Sequence, residues 1–521
     1  MRHAMMVLVL TLIPTLAVNA VEPILDVSVT VDFGRDLGQN FGTLFEATDA
    51  DGRAVCGAGF AGTYNTHFRA DRHALQFYIR PAEGADEFTR EPLPRPTTDL
   101  GVYLFDVDGV IYANASGKDR SVRAWFPELN EWQATERFPA QRDIGADQQM
   151  RVAGKLLQFS SGAVTYDGRE VLPAPAAGGR HGLYYGNGHL CYFHRGWNAG
   201  DTQDTPPKLC AVPWTPYQDE PANPADEISM TMQFPREFPY ATGQRGSDIV
   251  MTSNWGGVHA FDGTAWRTLV DADEKTSYQV YSIINYYDRL LLAQYPTGYL
   301  LELVGDDVIT NEAWPPVPED VSGSAREAQT TTIYRGDLYC GVWPWAEVWR
   351  YLKEQDRWHF IGRMFSHPES TKETVHPYEK DTNKPGDVLN AWGQRVTSML
   401  PFGDSMLIST SAKSSATEHD PELYTHLAGD KWEEYGMVYR FTMPGNLAAT
   451  MAWTGRPTQL RFTITDTEMI ISQDGVELAR ASIDGLSSDE ISDLNVEWGR
   501  GIFGPCGGEI VEREFSPRRD D

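Results

Sequence analysis

Short apolar stretches, each introduced by a turn of Gly, Asp or Asn, recur along most of the chain, and amphipathic helical periodicity is almost absent. Asn187-Gly188 precedes His189 to His194, Asp288-Arg289 precedes Leu290 to Tyr295, Gly336-Asp337 precedes Leu338 to Trp343, and Gly403-Asp404 precedes Ser405 to Thr410. An apolar strand stands before each turn, at 182–185, 280–285, 331–334 and 396–400, and a further strand follows at 299–303, 348–351 and 437–441. With similar units at 102–138, 150–171 and 246–269 the chain holds seven of them. A single sandwich does not need seven iterations of strand, turn, strand, loop and strand, whereas sheets arranged round an axis do. The pattern therefore predicts an all-β fold, a β-propeller over residues 100–445, with seven blades or, if an N-terminal segment contributes one, eight. That segment, 21–99, holds strand-like stretches at 25–31, 43–47 and 75–79 and is expected to close or cap the ring. Strands at 459–464, 468–472 and 476–483 predict a small C-terminal β extension over 446–521.

The N-terminus departs from this pattern. Arg2 and His3 precede an apolar run from Val7 to Val18, and Val18-Asn19-Ala20 is a small-residue cleavage site, so 1–20 reads as a signal peptide. Twelve residues of helix span only about 18 Å, too little for a bilayer core. The mature protein is expected to be secreted or periplasmic and not bound to a membrane. The full sequence has 73 acidic against 44 basic residues, a net charge of −29, which argues against nucleic acid as a partner. A local basic cluster would still admit an anionic ligand. Of the five cysteines, Cys191 and Cys210 fall on neighbouring predicted strands and could form a disulfide in an oxidising compartment; Cys56, Cys340 and Cys506 have no evident partner, and free buried cysteines are the reading favoured for most of the five.

In a propeller the second strands of the blades end on one face, around the central opening. Aligning the units brings to that face Ser160, His194 and Arg195, Ser253 and Asn254, Gln294 and Tyr295, Val342 and Trp343, and Ser409 and Thr410, with Trp197, Trp255, Trp345 and Lys413 in the loops beyond. Aromatic rings, amides and cations together suit sugar binding: flat rings cover a pyranose face, amides bond hydroxyls, and Arg or Lys holds a carboxylate or sulfate. His194-Arg195-Gly196-Trp197 is the densest group, and a loop packed by ion pairs explains it equally well. His67 and Arg69, after a Gly-rich turn, and His376 and Arg395, in the long insertion 367–395, are further candidates for substrate contact. His259 reads as a satisfied, half-buried histidine.

The sequence has no HExxH, Walker or nucleophile-elbow motif and no metal-ligand spacing. No cofactor is required by this reading, and a structural cation such as calcium in the channel stays open. Signal peptide, repeated units and a His/Arg/Tyr/Trp funnel together resemble the secreted propeller enzymes of uronate polysaccharides, the ulvan-type lyases and the rhamnose-glucuronate lyases and rhamnosidases. The resemblance is one of architecture over most of residues 100–445. It implies β-elimination on an anionic, uronate-containing polysaccharide, with His194 or Tyr295 moving the proton and Arg195 or Asn254 neutralising the carboxylate; His67, His259 or His376 would supply a second histidine. The aligned positions hold no carboxylate pair, which disfavours a glycosidase. The alternatives are a non-catalytic propeller that binds glycan or protein and a propeller glycoside hydrolase.

Overall fold

In the computed structural model, residues 24–65, 70–80, 87–115, 119, 121–138, 149–160, 162–195, 206–275, 278–378, 392–413, 427–483 and 494–517 are described. The signal-peptide segment, His67, Arg69 and Trp197 lie outside the described residues.

The chain is an all-β propeller joined to a β-sandwich. Among the described residues, seven antiparallel sheets follow one another at 102–134, 149–172, 179–231, 239–270, 279–310, 327–363 and 394–442, with strands in sequential order. The first strands of the second to seventh sheets pack side by side in succession, and the seventh packs against the first. The ring closes where Leu156 of the second sheet packs on the cluster of Phe105, Tyr112 and Phe138 from the first. The seventh sheet takes its outer strand, Thr89–Pro92, from the N-terminal side of the chain. The innermost strand of the fifth, Gln279–Tyr286, pairs on its axial side with Thr63–Asn65. Innermost strands are apolar or uncharged along nearly their whole length, as in Glu327–Tyr334, because both of their faces are covered.

The two ends of the chain build the sandwich together. One five-stranded sheet has the order Val476–Ser482, Glu468–Gln473, Thr458–Ile464, Leu25–Asp32, Glu509–Pro517; the other runs Asn446–Thr450, Ala74–Ile79, Ala54–Phe60, Gly42–Thr48, Asn495–Trp498. Strict alternation in Leu25–Asp32 buries Leu25, Val27, Val29 and Val31 against Phe45, Phe77, Phe462 and Ile471 and turns the polar residues outward. The N-terminal strands and the C-terminal extension, read from sequence as separate elements, thus share one core.

The sandwich meets the hairpin turn between the first and second strands of every propeller sheet. Asp108 N–H donates to Asp71, Ala153 N–H to Asp36, and Gly188 N–H to Leu37 O, at 3.0, 2.7 and 2.8 Å. Asn40 donates to Gln244 O, Tyr287 N–H to Ile502 O, Arg335 N–H to Asn446, and Ala448 N–H to Gly403 O, at 3.4, 3.2, 3.0 and 2.7 Å. Around the first two turns the junction is ionic and buried. Arg72 forks onto Asp36 at 2.9 and 3.0 Å, and Arg151 donates to Asp71 at 2.8 Å. Burial pushes the Asp36 carboxyl upward, but the Arg72 charge and the hydrogen bonds from Arg72 and Ala153 N–H outweigh it and hold its pKa below 3.8.

All five cysteines are free. The Cys191–Cys210 bridge that the sequence leaves open is excluded by register: Cys191 stands opposite Ala211 and Cys210 opposite Tyr192, so the two side chains point to opposite faces of their sheet. Thiol titration of the unfolded, unreduced protein is expected to count five thiols; a count of three would restore the bridge. Arg72→Ala leaves Asp36 buried without its cation and is expected to cost about 3–5 kcal/mol in urea denaturation. Because the folded pKa of Asp36 lies below its unfolded value, its contribution is present above that value and is lost as pH falls through the folded one. The stability gap between wild type and Arg72→Ala should therefore narrow on acidification.

Candidate functional site

Strand register gathers the sequence-derived positions at one end of the sheets. Arg195 pairs with Gly179, Ser253 with Pro239, Tyr295 with Gln279, Trp343 with Glu327, and Ala412 with Gln394. Each second strand therefore ends where the first strand of its sheet begins, remote from the turns that the sandwich covers.

Near the axis this end carries a charged and aromatic group. Glu327, at the start of the sixth sheet, is fully buried and accepts from Lys413 Nζ at 3.0 Å and from Arg395 at 3.3 Å. Lys413 Nζ also lies 4.0 Å from the Trp343 ring centroid and 5.7 Å from that of Tyr295. Tyr240 and Tyr281 meet edge to face at 5.0 Å, and Tyr281 donates to Gln279 at 2.7 Å. Burial, reinforced by the Glu327 charge, raises both phenols, so they stay protonated. Burial alone would weaken the Arg395 charge, but the Glu327 carboxylate beside it works the other way, and the guanidinium stays ionised. Two cations share one carboxylate, which leaves the trio with surplus positive charge in a chain of net charge −29. Lys413 is its solvent-facing member: 21% of its side chain is exposed, against 8% for Arg395 and 0% for Glu327.

Other expected site residues are placed differently. His194 sits on the rim of the third sheet with Nε2 3.0 Å from Ala177 O, and Arg195 follows it. His194 and Arg195 end a strand of the third sheet, Tyr295 ends one of the fifth, and Lys413 follows one of the seventh. Asn254 is committed to the backbone: its Oδ1 accepts from Phe238 N–H at 2.9 Å and its Nδ2 donates to Arg236 O at 3.3 Å. Gln294 is likewise engaged in its own turn, donating to Tyr295 O and accepting from Thr297. Trp343, Trp345 and His376 are fully buried and offer no open ring to a sugar. Trp345 is held between Arg363, 4.6 Å from its ring, and His376 at 4.6 Å. His259 is deeply rather than half buried, with Thr268 at 3.2 Å and Glu237 at 3.6 Å. Trp255 lies farther out, against Phe234 at 5.5 Å.

Sequence alignment of second strands missed Glu327, Tyr240 and Tyr281, because these stand at the starts of first strands. The same alignment read one strand earlier, opposite Trp343 and Tyr295, would have found Glu327 and its neighbours. Among the described residues no group of three His, Cys, Asp or Glu is arranged to hold a metal ion, and no helix is long and apolar enough to cross a membrane.

No family model and no curated protein matches the sequence. Among solved structures, the chain is similar to YCF48 bound to D1 peptide, at 10% identity and a TM-score of 0.37 over 70% of this chain and 97% of that one. It is similar also to the extracellular domain of BT4673 from B. thetaiotaomicron, at 10% identity and 0.41 over 79% and 47%, and to the N-terminal domain of Nup159, at 9% and 0.32 over 73% and 100%. At such scores the fold assignment rests on the strand topology itself.

Glu327→Gln leaves Arg395 buried beside a neutral partner and is expected to cost about 3–5 kcal/mol in urea denaturation. Lys413→Met, at a partly exposed position, is expected to cost about 1 kcal/mol. Equal costs would contradict the burial order of the trio.

Proposed function

We propose that this chain is a carbohydrate-binding β-propeller that takes an acidic saccharide on the face opposite the sandwich, with Lys413 as the group that receives the carboxylate. The observation that carries this reading is the pairing of two cations with the single carboxylate of Glu327, with the partly exposed Lys413 ammonium held over Trp343. Holding the ammonium between Glu327 and two rings fixes its position in advance, which lowers the cost of ordering it on binding. A uronate would meet a preorganised positive charge and the neighbouring Tyr295 ring.

Binding without cleavage fits the same residues better than β-elimination does. Elimination needs a base beside the cation that neutralises the carboxylate. Tyr103, Tyr240 and Tyr281 stand beside Arg395, and burial holds the phenols of Tyr240 and Tyr281 protonated. His194 belongs to another sheet. Hydrolysis needs two available carboxyl groups, and Glu327 is already engaged by two cations. The signal-like N-terminus favours a role outside the cytoplasm.

Calorimetric titration with uronate oligosaccharides and with their carboxyl-reduced, neutral counterparts tests this reading. The acidic form is expected to bind, the neutral form to bind at least about tenfold more weakly, and Lys413→Met to remove the difference. Equal binding of both forms, or binding untouched by Lys413→Met, would overturn the proposal. Ultraviolet absorbance of the same mixtures is expected to stay flat; growth of an unsaturated-uronate band would make the protein a lyase instead.

A further inference from the structure

Away from the axis, a cleft of about 260 Å³ opens between the fourth and fifth sheets. Val258, Val280, Leu292 and Leu301, buried in the core shared by the two sheets, form its floor, and the half-buried Val270 and Val308 supply the aliphatic surface that a ligand could reach. Trp255 and Tyr278 also line it and pair with each other through a backbone bridge. Gly256, at φ +77°, adopts a backbone conformation that favours glycine, and a Cβ there would stand 2.6 Å from the Tyr278 ring. Glycine at 256 thus lets Tyr278 lie directly on the backbone beside Trp255. The charged residues lining the cleft, Asp271 and Asp273, are both acidic and both exposed.

From these observations we infer that the cleft is a second ligand site, distinct from the Lys413 group, for a small organic cation with an apolar body, such as an arylalkylammonium. Val270, Val308 and the rings of Trp255 and Tyr278 take the body by excluding water from it. The rings of Trp255 and Tyr278 and the carboxylates of Asp271 and Asp273 favour a positive head group and disfavour a negative one. The cleft lies below the range of about 300–1,000 Å³ usual for drug-sized ligands, so its ligand is a small one. The site does not rest on saccharide binding at the axis, since it lies in a different part of the fold and selects the opposite charge.

Phenethylammonium, 2-phenylethanol and 3-phenylpropionate share an apolar body and differ in charge. Titrating the full chain with each, and following tryptophan fluorescence and heat, reads the selectivity directly. Phenethylammonium is expected to bind saturably, with 3-phenylpropionate at least about tenfold weaker. Val308→Phe, which fills the cleft from a partly exposed position, is expected to weaken phenethylammonium by about tenfold. Asp271→Asn with Asp273→Asn should bring phenethylammonium down to the affinity of 2-phenylethanol and leave the alcohol unchanged; these exposed substitutions keep the test open if Val308→Phe does not fold. No saturable phenethylammonium binding by about 1 mM, equal binding of the cation and the anion, or binding unmoved by a folded Val308→Phe would each overturn the inference.

Discussion

The structure depends on the contact between the sandwich and the first hairpin turns of the described propeller sheets. A propeller sheet alone has no fixed relation to a neighbouring domain, but here each turn is hydrogen-bonded to the sandwich or to the segments that lead into it. The tightest part is ionic. Asp36 and Asp71, both deeply buried, come from the N-terminal segment; Arg72 joins them, and Arg151 reaches in from the second sheet. Such a cluster holds the two parts in one geometry because breaking any one pair leaves a charge buried without its partner.

This contact covers much of one face of the propeller, leaving a cavity of about 460 Å³ there between Leu37, Asn40, Asn187, Gly246 and Pro505, and the proposed ligand face is the other. The open face is where second strands end and first strands begin, and register alone brings Glu327 beside Trp343 there. From that pairing the rest of the charged group follows: Lys413 and Arg395 converge on Glu327 from the seventh sheet, and the Trp343 ring underlies the ammonium. Surplus positive charge at one point of a strongly acidic chain is an electrostatic feature that packing alone does not require.

Much of the fold was legible in the sequence. Turns such as Asn187-Gly188, where both residues adopt positive φ, mark the hairpins, and apolar runs such as Leu290 to Ala293 mark buried strands. The sandwich was not legible as a unit, because its strands come from both ends of the chain and local pattern carries no information about which distant strands pair. The face was legible from the repeat, but the roles of its residues were not. Asn254 and Gln294 have the chemistry of sugar-binding amides, yet their hydrogen bonds close their own loops. Trp343 and Trp345 have the rings, yet both are buried. Exposure and hydrogen-bond partners are tertiary properties, and a one-dimensional alignment cannot supply them.

The sandwich covers one face of the propeller, and the proposed ligand meets the other. Hydrogen exchange of the full chain with and without a bound uronate oligosaccharide tests this most directly. Slowed exchange at the ends of the second strands, around Trp343 and Lys413, with no change at the turns around Asn187 and Gln244, is the predicted result. Protection confined to those turns, on the sandwich side, would contradict it.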